Sequence, residues 1–277
     1  MIKKQLRNLI TKLTPPSDDE QAYRRIIALI PELAFYKKET ILFLQDKAKE
    51  LGYPDLHSYA AALRRDPEAL EALKTSLTFK GTHFFRGEDW DFFTRECLAR
   101  LAGRKKLKVW SAACSSGEEV YSLVMALLDY VPLEEIDVLA TDYNDGLLEK
   151  CRTGEYYNMH LPEIPEQYRQ YVLPGEKKFS VLPELKAVVH TRNLNLLTDP
   201  FPGPFDIILC RNVLKFFSRD VIPQVHRKLA ASLAEGGYLF VSVDGDEKGI
   251  ELISDPGALG LTAVDGKRGI YQCCGVS

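Results

Sequence analysis

The chain reads as an α/β protein: a doubly wound, mostly parallel sheet, preceded by a small all-helical segment and carrying a small β insertion. Three observations predict this. Apolar strand patterns at Leu107–Ser111, Asp137–Thr141, Ala187–Thr191, Phe205–Cys210 and Gly237–Val243 alternate with helical patterns. Residues 1–76 carry helical periodicity only. Between them in importance stands Val109–Ser122, VWSAACSSGEEVYS, a buried strand that enters a small-residue turn and then a helix. Open α/β sheets bind nucleotide-like ligands at such a turn.

At 277 residues and 45% hydrophobic content, the chain is long enough for one large α/β domain and a smaller one. A net charge of -3 offers no general attraction to nucleic acid or to an anionic membrane, so no nucleic-acid partner is expected. The six cysteines form no C-x-x-C pair and no zinc-ligand spacing, which predicts reduced thiols and no metal. MIKKQLRNLI lacks the apolar run of a signal peptide, and no stretch of about 18 apolar residues occurs, so a cytoplasmic protein without membrane insertion is expected.

In the helical segment, Ser17-Asp18-Asp19-Glu20 forms a capping box that predicts a helix to about Ile30. A second helix is expected over Lys37–Leu51, ended by Gly52 and Pro54, with short helices from His57 and from Pro67. Basic residues outnumber acidic ones over residues 1–65, which fits either solvated helix faces or a docking surface for an acidic partner. Residues 77–88 read as a linker that packs on the next domain, because TSLTFKGTHFFRG breaks the helical period with Gly81 and an aromatic pair. The domain proper then covers 89–277, with an inserted β-subdomain at about 155–191. Leu261–Val264 and Gly269–Cys273 are expected to pair around the hairpin signal Asp265-Gly266.

The turn after the first strand carries one glycine, Gly117, followed by Glu118-Glu119, which would repel a pyrophosphate. A cationic or uncharged adenosine ligand suits it better, and S-adenosylmethionine has that character. Asp142, at the carboxyl end of the second strand, is placed to accept both ribose hydroxyls, with a helix N-cap for Asp145–Cys151 as its structural alternative. Arg211 and Asn212 end the strand Phe205–Cys210. Arg211 would hold a carboxylate or serve as an ion-pair partner; Asn212 would face a ligand or cap the helix from Ser218. Arg86 is read as reaching the carboxylate of a methionine-like tail, or as an interdomain anchor. His83, a lone histidine beside aromatics, is read as packing.

Phe84-Phe85-Arg86, W-S-A-A-C-S-S-G-E-E-V-Y-S from Trp110, A-T-D at 140–142, G-E-Y at 154–156, N-L-L at 195–197 and C-R-N-V at 210–213 stand in register over much of the chain. In order and spacing the sequence resembles the CheR family of chemotaxis receptor methyltransferases. The resemblance implies a class I, Rossmann-like methyltransferase fold. It implies methyl transfer from S-adenosylmethionine to glutamate side chains of chemoreceptor cytoplasmic helices, leaving S-adenosylhomocysteine. By the same resemblance Thr82 and Arg86 contact the methionine end, Glu118 lines its pocket, Asp142 holds the ribose, Asn195 and Leu196 meet the adenine side, and Asn212 with Val213 closes the site. Ala113 counts among the cofactor contacts, Arg86 and Arg211 among the catalytic residues. A monomer acting on receptors or another signalling protein is expected. The chain departs from the family pattern at Phe216, where a tyrosine is usual, and at Lys215, Lys80, Ser242–Gly245 and Leu42-Phe43-Leu44. Those departures motivate a second reading, a non-catalytic or retargeted module that binds the same cofactor and regulates a partner.

Overall fold

A computed structural model describes residues 18–30, 39–76, 82–214, 217, 219–241, 252–265 and 268–274. The chain divides into two compact units, Met1–Leu77 and Thr78–Ser277. Among the described residues no helix is long and apolar enough to cross a membrane.

The first unit is helical: α1 (Asp18–Ile27), α2 (Glu39–Glu50), α3 (Leu56–Arg65) and α4 (Pro67–Ser76). Acidic residues open α1 and basic ones close it, as the helix dipole favours. Ser17 of the expected capping box lies outside the described residues. Past α2, Gly52 (φ 79°) lets its own N–H reach Lys49 O and the Tyr53 N–H reach Ala48 O, a Schellman stop. Asp55 caps α3 by accepting the Ser58 N–H at 2.7 Å. Ala22, Tyr23, Ile26, Leu44, Tyr59 and Leu63 share one buried cluster. Leu44, one of the apolar departures, thus serves the core; the side chains of Leu42 and Phe43 lie outside the described ones.

In the second unit, α5 (Glu88–Phe92) leads through a wide π turn (Phe93–Cys97) and a tight 3-10 turn to Leu101. There follow β1 (Leu107–Ala112), α6 (Glu118–Leu127), β2 (Ile136–Asp142) and α7 (Asp145–Thr153). The insertion holds β3 (Glu155–Tyr157), β4 (Val172–Leu173) and β5 (Lys178–Val181). Then come α8 (Pro183–Ala187), β6 (Val189–Asn193), β7 (Phe205–Leu209), α9 (Ile222–Ala231), β8 (Leu233–Phe240), β9 (Leu261–Asp265) and β10 (Ile270–Cys273).

The seven-stranded sheet has the order β6-β2-β1-β7-β8-β10-β9. Neighbours from β6 to β8 are parallel, and β10 runs antiparallel to both β8 and β9. Strand order reverses between β1 and β7, which opens a crevice at their carboxyl ends. One buried cluster, with Val109, Tyr121, Val124 and Phe240, covers one face; another, with Trp110, Ile208, Val225 and Leu229, covers the other. β1 is buried at five of its six positions, Lys108 excepted, and its apolar residues Leu107, Val109, Trp110 and Ala112 supply both faces.

Three details differ from the sequence reading. β6 begins at Val189, two residues later than expected, because α8 occupies Pro183–Ala187. β8 starts at Leu233, ahead of Gly236-Gly237, and absorbs them where the pairing of Phe205 and Ile207 with β8 shifts register. The antiparallel β insertion, of order β3-β5-β4, ends at Val181 rather than running on to 191. Gly266 of the hairpin signal lies outside the described residues.

Candidate functional site

The β1–α6 turn is built from left-handed backbone. Ala113 (φ 63°), Ser115 (φ 53°) and Gly117 (φ 94°) all adopt positive φ, which costs the two non-glycine residues stability. Asn212, just beyond β7, does the same (φ 56°), as does Phe85 in the linker (φ 48°). Of the five described non-glycine residues with positive φ, four therefore lie at these strand ends or the linker beside them; Lys106 is the other. Gly117 has no substitute here, since a Cβ would lie 2.5 Å from Cys151 Sγ.

Asp142 locks the crevice together. Its Oδ2 accepts the Ser115 N–H at 2.9 Å, its Oδ1 accepts the Asn144 N–H at 3.0 Å, and its carbonyl accepts the Leu194 N–H. One residue thereby joins the turns after β1 and β2 to the end of β6. It does not cap α7: Asn144 does, accepting the Leu147 N–H at 3.1 Å. Burial raises the Asp142 carboxyl above its ordinary value, and the N–H bonds partly offset this. Glu118, 6% exposed, is raised for the same first reason, with the Ser116 hydroxyl donating to it at 2.8 Å. Two buried carboxylates thus flank the turn.

The linker packs on this framework. Thr82 Oγ1 accepts the Glu119 N–H at 3.2 Å, and Ser122 Oγ accepts the Phe85 N–H at 2.9 Å. Phe84 meets the Tyr156 ring edge-on, and Phe85 stacks on Tyr168 with centroids 4.9 Å apart. Tyr156 also donates its hydroxyl to Ser116 O, bracing the turn from the insertion.

Arg211 is held inside the domain. Its side chain is 1% exposed, donates to Glu119 Oε2 at 2.9 Å and to Arg86 O at 3.0 Å, and lies 4.6 Å from the Phe240 ring centre. Buried in this way, it makes the ion pair weighed as one of the two readings of this residue. Leu196 turns its side chain into the core, and its carbonyl accepts from Lys228. Asn195 closes a local turn by accepting the Leu197 N–H, while its own N–H donates to Asp199. Among the described residues the helix that follows Asn212, α9, begins at Ile222, later than the expected start at Ser218. Val213, half-buried, packs on the second core cluster. The sequence reading gave Glu119 only an anion-repelling role and gave Tyr156 none; a charge that precedes a buried helix face is the one local hint for Glu119.

Residues 80–247 match a family described as "CheR methyltransferase, SAM binding domain". The chain belongs to the CheR methyltransferase family. It is similar to a chemotaxis protein methyltransferase of Listeria monocytogenes, with 35% identity over 84% of this chain and 89% of that protein. A chemotaxis protein methyltransferase of Escherichia coli (strain K12) is 33% identical over 79% of this chain and 82% of its own. Chemotaxis protein methyltransferase 1 of Vibrio cholerae is 37% identical over 67% and 72%. The chain is thus an S-adenosylmethionine-dependent methyltransferase of chemotaxis, and the reading as a non-catalytic module is not favoured. Among this CheR-family chain's departures, Lys80, Lys215, Phe216 and Ser242–Gly245 lie outside the described residues.

Proposed function

We propose that the crevice at the carboxyl ends of β1, β2 and β7 holds S-adenosylmethionine and presents it to glutamate carboxylates on the cytoplasmic helices of chemoreceptors. The supporting observation is the pair of buried carboxylates, Glu118 and Asp142, beside a turn of open left-handed backbone. Such a donor-poor, acceptor-rich site suits an ammonium and a ribose diol and disfavours a phosphate. An ionised carboxylate has roughly four acceptor positions, and Asp142 turns both of its oxygens to backbone N–H groups while keeping acceptor capacity for a ribose hydroxyl.

In this reading Ala113 lends backbone to the cradle, Asp142 takes the ribose, Glu118 faces the ammonium, and Thr82 and Arg86 lie toward the methionine carboxylate. Asn195 and the backbone of Leu196 flank the adenine, and Asn212 with Val213 closes the pocket. Arg211 positions rather than reacts: it ties the Arg86 backbone to Glu119. When bound, S-adenosylmethionine supplies a methyl group on a cationic sulfur. A substrate glutamate, with an ordinary pKa of about 4.3, is ionised at neutral pH and needs no general base or metal. What remains for the protein is alignment and exclusion of water from the attacking oxygen. The protein acts as a monomer in the cytoplasm.

Incubating the enzyme and cofactor with a receptor cytoplasmic fragment and sequencing the peptides by mass spectrometry tests this. Added methyl on glutamate that vanishes in the Glu→Gln fragment supports it; methyl on lysine, cysteine or nowhere removes it.

A further inference from the structure

The cysteines show no zinc-ligand spacing and the sequence predicts no metal, yet folding brings His83, His160 and Glu163 together, one donor atom from each lying within 4.8 Å of the others. His160 and Glu163 sit three residues apart on the short turn Asn158–Glu163 of the insertion, whereas His83 arrives on the linker, 80 residues earlier. The Nδ1 atoms of His83 and His160 lie 3.1 and 3.0 Å from the same oxygen, Glu163 Oε1.

We propose that His83, His160 and Glu163 form a binding site for a divalent transition-metal ion of the zinc type, which clips the linker onto the inserted subdomain. Two imidazoles with one carboxylate are a donor set for such an ion and not for magnesium or calcium, which take oxygen ligands. In a tetrahedral site with bonds of about 2.1 Å, neighbouring donors stand about 3.4 Å apart. The two nitrogen–oxygen separations are already a few tenths of an ångström from that spacing. Side-chain rotations of the half-exposed His83 and the less exposed His160 supply the remaining adjustment.

The carboxylate is also oriented from behind. Glu163 Oε2 accepts the Phe84 N–H at 3.0 Å, which leaves Oε1 turned to the two rings, the kind of outer support that metal ligands use. Three protein ligands leave the fourth position for water, and the side-chain exposures of 48%, 24% and 26% for His83, His160 and Glu163 leave an entry path. The ion would stand next to Thr82, whose hydroxyl accepts from the first turn of α6, so its effect is to hold the start of the cofactor-side linker in place.

The test is titration of the full chain with Co²⁺ and Zn²⁺ under reducing conditions, for the wild type, His83→Ala, His160→Ala, Glu163→Gln and the double histidine variant. The expected result is one ion per chain, visible Co²⁺ bands of a nitrogen–oxygen site, and a rise in Tm with Zn²⁺. Each single variant should weaken binding at least about tenfold and the double variant abolish it. S-adenosylhomocysteine binding by the metal-free variants serves as the check that they are folded, and keeps this result separate from the cofactor assignment. Absence of a saturable site, a site that survives in the double variant, or a thiolate charge-transfer band from Cys273 or Cys274 would overturn the proposal.

Discussion

Replacing Asp142 separates its two jobs. In the structure its carboxylate accepts two backbone N–H groups, from Ser115 at 2.9 Å and Asn144 at 3.0 Å, while only 7% exposed. Asp142→Ala leaves both donors without this partner, at about 1–3 kcal/mol for each that water cannot reach, and removes the acceptors proposed for the ribose. We expect fold stability to drop by about 2–4 kcal/mol. Affinity for S-adenosylhomocysteine should fall by about 1–3 kcal/mol, roughly 5- to 150-fold. Asp142→Asn keeps the volume and one acceptor and removes a buried charge, so it should cost less stability while still weakening the cofactor. Calorimetry and urea unfolding on all three proteins read both quantities. Wild-type affinity in Asp142→Ala, with the fold intact, would take Asp142 out of the ligand's contacts and leave it a brace between two turns.

Further outcomes follow from the same framework. Gly117→Ala should destabilise the second unit by about 1–3 kcal/mol and abolish cofactor binding, because φ is 94° and the new Cβ would lie 2.5 Å from Cys151 Sγ; an unchanged urea midpoint refutes this. Arg211→Ala takes this ion-pair partner from the part-buried Glu119 carboxylate and should cost about 1–3 kcal/mol, and Arg211→Lys should recover little because it lacks the fork and stacks poorly. If Arg211→Lys instead matches the wild type in Tm and activity, the ion pair is not what positions the linker. Burial raises Asp142 and Glu118 above their ordinary values of 3.8 and 4.5. The folded protein therefore holds these protons more tightly than the unfolded chain. Their contribution to stability is present below those ordinary values and is lost as pH rises through the raised ones. Cofactor binding uses the ionised forms, so affinity should fall as pH drops from neutrality, beginning above 4.5; a flat affinity profile down to that pH contradicts the assignment.

What could be read from the sequence is what short stretches determine. β1 is buried on both faces, so its apolar run was visible, and Asp142 stood out as an acid closing an apolar strand. Small side chains in Ala112–Gly117 announced a turn open to a ligand, and the structure shows its left-handed backbone. Pairings over long separations were not legible. Arg211 and Glu119 lie 92 residues apart, so nothing local distinguished an ion pair from a substrate clamp. His83 read as a lone histidine because Glu163 and His160 reach it only once the insertion folds back on the linker. Leu196 sits in a motif beside Asn195, but its side chain serves the core, which the motif alone does not announce. Gly236-Gly237 looked like a strand boundary, whereas β8 runs through the pair at a register shift.

The central claim is that this crevice transfers methyl groups to carboxylates of receptor proteins. Its most direct test is incubation with methyl-labelled S-adenosylmethionine and membranes holding chemoreceptors, followed by mild alkali and counting of volatile label, with Asp142→Ala alongside. The account predicts methanol released from receptor-sized bands by the wild type and a large loss in the variant. Alkali-stable label, or no label from a protein that still binds S-adenosylhomocysteine, would contradict it.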